Sequence, residues 1–179
     1  MQGCGSRLVS VPSTEFRGDT EKPIEADGRV LGIYHLNINV TNLGRSRAFY
    51  ELFGFRVVDT FHEKHNSALD RGLGLPIGTN SENNALFMMV GSNKYATVID
   101  LAEWVHPKAS GGGLTEPNRL GVPRFCLRVK NIHKLVARLK SQGVKFLSEE
   151  PQRLETLKRR PHFICCRDPD GLIVELVEL

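Results

Sequence analysis

Residues 35–55, HLNINVTNLGRSRAFYELFGF, align without gaps on residues 124–144, RFCLRVKNIHKLVARLKSQGV. The offset of 89 places Val40 on Val129, Asn42 on Asn131, Arg45 on Lys134, Ala48 on Ala137 and Gly54 on Gly143. Identities are few, but they fall at the punctuation of one plan: a strand, an Asn suited to cap a helix, an amphipathic helix, and a glycine suited to end it. A chain that repeats such a plan is expected to fold as two like modules.

Each glycine is followed by an apolar-rich strand, FRVVDT (55–60) or VKFLSE (144–149), and then by two further strands. These are ALFMMVG (85–91) and ATVIDLAEW (96–104) in the first copy, HFICCRD (162–168) and LIVELVEL (172–179) in the second. Asp168-Pro169-Asp170-Gly171 supplies the turn residues of a tight hairpin. The expectation is an α+β fold of two βαβββ modules in tandem, whose curved mixed sheets surround a cavity. The boundaries follow: an N-terminal tail over 1–29, a first module over 30–105, a Gly/Pro-rich linker over 106–121 and a second module over 122–179. His35 and Asp100 are 65 residues apart, whereas Arg124 and Glu175 are 51 apart. The excess in the first copy falls around ALDRGLGLPIGTNSEN, a candidate lid.

Composition excludes several classes of function. No run approaches the roughly 18 apolar residues of a membrane span, and residues 1–29 lack the apolar stretch of a secretory signal. The net charge of +4 is dispersed, and its one dense run, Lys158-Arg159-Arg160, has no interleaved aromatics, so no nucleic-acid surface is expected. Cys4, Cys126, Cys165 and Cys166 show neither zinc spacing nor a disulfide framework and read as free thiols in a reducing cytoplasm. Neither a Ser-His-Asp order nor a phosphate loop nor a dinucleotide fingerprint is present.

Strand alternation puts Tyr34, Leu36, Ile38 and Val40 on one face and His35, Asn37 and Asn39 on the other. In the second copy Phe125, Leu127 and Val129 form the apolar face, leaving Arg124, Cys126 and Arg128 on the polar one. The closing strands place Asp100 and Glu175 inside apolar runs. A carboxylate there is costly unless it meets a cation, a metal or several hydrogen bonds.

HLNINVTNLGRSRAFYELFGFRVVDT, the IDL of the fourth strand and DPDGLIVELVEL together resemble the vicinal oxygen chelate superfamily, which includes glyoxalase I, methylmalonyl-CoA epimerase, extradiol dioxygenases and bleomycin-resistance proteins. The resemblance covers about residues 31–179. It implies a divalent metal ion (Fe, Mn, Ni or Zn) held at the first and last strands of each module, which here are His35, Asp100, Arg124 and Glu175. Arg124 departs from the pattern, because a guanidinium has no lone pair to give a metal. His35, Asp100 and Glu175 remain as a ligand set of one imidazole and two carboxylates. The competing arrangement is a buried Arg124–Glu175 or Arg124–Asp100 pair in place of the ion, whose disruption would cost about 3–5 kcal/mol.

The resemblance implies a small-molecule cavity enzyme, a lyase, isomerase or epimerase working by proton transfer next to a carbonyl. Glu175, Asp100 and Arg124 are its candidate catalytic residues, and Asn37, Trp104 and Arg128 its candidate substrate contacts. The alternative is a non-catalytic binder of the bleomycin-resistance type. A ring-cleaving dioxygenase ranks third, since that chemistry calls for the second histidine that Arg124 displaces. The resemblance also implies a homodimer.

Overall fold

The short alternating segment His35–Asn39 forms the first strand, β1. Its Ile38 is buried while Asn37 and Asn39 are exposed. The computed structural model describes residues 32–91, 96–112, 116–155 and 160–179. The expected tail and Cys4 lie outside the described residues, as does part of the expected linker. After β1 come helix α1 (Leu43–Leu52), strand β2 (Arg56–Lys64), a short helix α2 (Ser67–Gly72) and strands β3 (Glu82–Met89) and β4 (Val98–His106). They form a mixed sheet in the order β1-β4-β3-β2, with β1 parallel to β4.

The second copy repeats this design. Strand β5 (Arg124–Arg128) precedes helix α3 (Ile132–Ser141), the two-residue strand β6 (Gln152–Arg153) and strands β7 (His162–Arg167) and β8 (Ile173–Glu178). The sheet order is β5-β8-β7-β6, with β5 parallel to β8, and neither four-stranded sheet closes on itself. The registers match as well. His35 lies opposite Val98 and Arg124 opposite Ile173, so Asp100 and Glu175 stand at the same place in their modules.

Both modules start their helix with a carboxylate from the closing strand. Leu43 N–H donates to Glu103 Oε2 at 2.8 Å, and Ile132 N–H donates to Glu178 Oε2 at 3.2 Å. A carboxylate at a helix N-terminus satisfies otherwise unpartnered N–H groups and meets the positive end of the macrodipole. Asn42 adds the expected side-chain cap, accepting from Arg45 N–H at 2.8 Å. Asn131 does not: it adopts φ 54 and makes no cap bond, and Glu178 takes over its task. Gly54 and Gly143 close the two helices at φ 89, a conformation that favours glycine.

Two further expectations are corrected. Tyr34 precedes the strand and is 75% exposed, so the apolar face of β1 begins at Leu36. The segment 144–149 is not a full strand: Phe146 makes one isolated bridge to Cys166, and pairing resumes only at β6. Pro151, immediately before β6, has no N–H to give a ladder at that point. The insertion of the first module is tied at its base rather than loose. Asp70 is buried and accepts from the backbone N–H (3.3 Å) and the hydroxyl of Ser81.

The modules share one core, in which Ile38, Val40 and Tyr50 join Ile132, Val136 and Leu176. Tyr50 is fully buried, with its ring 6.3 Å from that of Phe125 in the other module. Its hydroxyl donates to Asp168 Oδ2 at 3.0 Å. Asp168 also accepts from the N–H groups of Asp170 and Leu172, so the hairpin turn is built around the carboxylate that receives Tyr50. Burial raises the pKa values of both Asp168 and Tyr50. At the rim, Asp170 accepts from Thr41 N–H at 3.1 Å and from Arg45 Nη2 at 2.7 Å. Partial burial opposes ionisation of Asp170, but the Thr41 and Arg45 contacts outweigh it and hold the carboxyl below its ordinary value.

Candidate active site

Parallel pairing of β1 with β4 brings His35, Asn37 and Asp100 to the sheet face opposite α1. Asn37 and Asp100 are register partners, and Asn37 Nδ2 donates to Asp100 Oδ2 at 2.9 Å. His35 Nε2 is 4.0 Å from the same oxygen, beyond hydrogen-bond length. Asp100 is only 7% exposed, and two of the site's atoms, Asp100 Oδ1 and His35 Nδ1, are buried without a protein partner. Such atoms are uncommon, because each forfeits hydration without compensation. Aromatic rings lie beside His35. Phe87 lies 5.5 Å from the His35 ring and 5.3 Å from Phe61, centroid to centroid, and Trp104 Nε1 donates to Asn39 Oδ1 at 2.9 Å.

At the equivalent place in the second module, Arg124 Nε donates to Glu175 Oε2 at 2.6 Å. The arginine side chain is 48% exposed and the glutamate 16%, so this is a half-exposed pair and not the buried one considered from the sequence. Glu175 is flanked in register by Cys126 on β5 and Cys165 on β7. Crowding by surrounding protein, then the charge and hydrogen bond of Glu175, push the Cys126 thiol up to about 12, which leaves it neutral at physiological pH. Cys126, Cys165 and Cys166 are all free. Arg128 is exposed at the end of β5.

Residues 32–176 match the family model described as the Glyoxalase/Bleomycin resistance protein/Dioxygenase superfamily. The chain belongs to this superfamily. Solved structures with the same fold include a glyoxalase family protein from Bacillus cereus, at TM-score 0.71 and 21% identity over 86% of this chain and 97% of that one. Glyoxalase I from Leishmania major aligns at TM-score 0.52 and 21% identity, covering 80% of this chain and 84% of its own. The fosfomycin resistance protein FosX from Listeria monocytogenes, solved with Mn(II) and sulfate, aligns at 0.50 and 17%, covering 84% and 94%. At these identities the likeness establishes the fold alone. Comparison with curated proteins finds no significant match.

The superfamily resemblance implies a divalent ion on His35, Asp100 and Glu175, and the side chains bear on that directly. Among the described residues no three His, Cys, Asp or Glu side chains are grouped to hold an ion. Arg124 occupies Glu175, and Asn37 occupies one oxygen of Asp100. A guanidinium at the fourth position adds positive charge where a further donor would be required. As they stand, the donors do not fit the ion within a single chain. His162, on β7, lies on the helix side of its sheet, 5.8 Å from His133 between ring centroids, and is no substitute ligand.

Of the residues singled out from the sequence, the structure joins His35, Asn37 and Asp100 in one group and Arg124 with Glu175 in another. Trp104 shares the sheet face of Asp100. Sequence reasoning missed Phe87, which lies beside His35, and Phe61, which packs edge-on against Phe87. Alternation could have found Phe87, since β3 pairs it with Asp100.

Proposed function

We propose that the chain is a glyoxalase-like enzyme that moves a proton next to the carbonyl of a small oxygenated metabolite, with Asp100 as the base. The observation that carries this reading is the buried, unpartnered Oδ1 of Asp100. A base needs a free lone pair in a site poor in water. Asn37 fixes the other oxygen, leaving Oδ1 to take the proton. Glu175 is the weaker candidate, because Arg124 already matches its charge. His35 Nδ1, also unpartnered, can hydrogen-bond a substrate oxygen, and Phe61, Phe87 and Trp104 supply apolar walls that limit competing water. The roles given to these residues draw on no divalent ion. The free thiols of Cys126, Cys165 and Cys166 fit a cytoplasmic setting, and the family resemblance supports a homodimer.

The test is solvent exchange. Hydroxyacetone and pyruvate are incubated with the protein in D2O, and deuterium entry at the carbon next to the carbonyl is followed by NMR. Exchange above buffer that falls by about 10²–10⁴-fold in Asp100→Asn is the expected result. Saturable binding of these compounds without exchange would instead support the sequestering, non-catalytic reading.

A further inference from the structure

We propose that Arg124 is an anion-binding residue held in place by Glu175, and that the ligand of this protein carries a carboxylate. The inference rests on reading these sheet faces as ligand-bearing, but not on the proton transfer assigned to Asp100.

Arg124 meets Glu175 through Nε at 2.6 Å. Among the described residues neither of its terminal nitrogens has a protein partner, and the side chain is half-exposed. Other arginines with an Nε-bound carboxylate look different. Arg47 pairs with Glu51 and Arg153 with Glu155, where the carboxylates are 42% and 60% exposed and sit on a helix surface and a loop. Glu175 is only 16% exposed, on β8, with a strand on either side of it. It therefore fixes the guanidinium rather than moving with it, and fixing a donor before binding lowers the entropy cost of using it. The Cβ atoms of Arg124 and Arg128 share one side of β5, roughly 13 Å apart, so Arg128 adds a second cation on that side. The thiols beside Glu175 are weak acceptors and compete poorly for the guanidinium. A planar two-oxygen anion matches the open edge of such a fork better than a single carbonyl does.

Oxalate is a suitable probe, because it has no C–H bond and cannot report proton transfer. Its binding to protein dialysed against EDTA is measured by calorimetry for the wild type, Arg124→Gln, Arg124→Lys and the surface control Arg47→Gln. The expected result is salt-sensitive binding in the wild type and the control, weakened by at least about tenfold in Arg124→Gln and only partly restored by Arg124→Lys. If Arg124→Gln does not fold, a clear weakening in Arg124→Lys carries the test. Absence of binding to the wild type, or equal binding by wild type and both Arg124 variants, overturns the proposal. Oxalate binding that depends on Arg124 without any deuterium exchange would sink only the proposed reaction. Exchange without oxalate binding would sink only the anion site.

Discussion

A carboxylate with one oxygen bonded and the other buried and unpaired is a liability for folding and an asset for chemistry. Asp100 is such a group. Asp100→Asn, with its amide oxygen turned to Asn37, keeps that hydrogen bond and removes a poorly solvated charge, so thermal stability should stay level or rise while exchange is lost. A drop in melting temperature of several degrees would show that Asp100 is a structural group instead. Arg124 should behave in the opposite way. Because it is half-exposed, Arg124→Ala should cost only about 1 kcal/mol in denaturant unfolding, well short of the loss expected had the pair been buried.

At the scale of elements, the two closing strands do more than carry the site, since each also caps a helix. Glu103 and Glu178 follow Asp100 and Glu175 by three positions, on the opposite side of their strands, and reach the N-termini of α1 and α3. Glu103→Ala and Glu178→Ala should each destabilise the fold by about 1 kcal/mol, read from chemical unfolding. Equal stability of both variants and wild type would remove capping as the reason for these residues. This device explains what was legible in the sequence and what was not. The repeat, the strand faces and the DPDG turn depend on local periodicity and turn chemistry, and they can be read along the chain. The capping by Glu178 depends on a contact 46 residues away, so Asn131 looked like the cap on local grounds. The strand expected at 144–149 looked sound by composition but is interrupted ahead of Pro151. Arg124 and Glu175 could be paired by parity, whereas the exposure of the arginine depends on what packs over it.

For the whole molecule, the seam between modules is where polar groups decide stability. Tyr50→Phe strips a buried hydrogen bond from Asp168 and should cost about 1–3 kcal/mol. Asp170 gives a pH signature. Its carboxyl is held below its ordinary value, so its contribution is complete above about 3.9 and is lost as pH falls through the lowered value. Asp170→Asn should therefore lower stability at neutral pH by about 1–2 kcal/mol, with the gap to wild type closing in acid; a gap that widens toward low pH would contradict the assignment. Sedimentation at micromolar concentration checks the homodimer, which a monomer would exclude. As proposed, Asp100 performs proton transfer in this superfamily fold with no metal held by His35, Asp100 and Glu175. The most direct measurement is the deuterium-exchange rate of one substrate before and after exhaustive chelation, with metal content determined on the same samples. An unchanged rate in metal-free protein and its loss in Asp100→Asn are expected; a rate abolished by chelation and restored by a divalent ion would show that the proton transfer needs a metal.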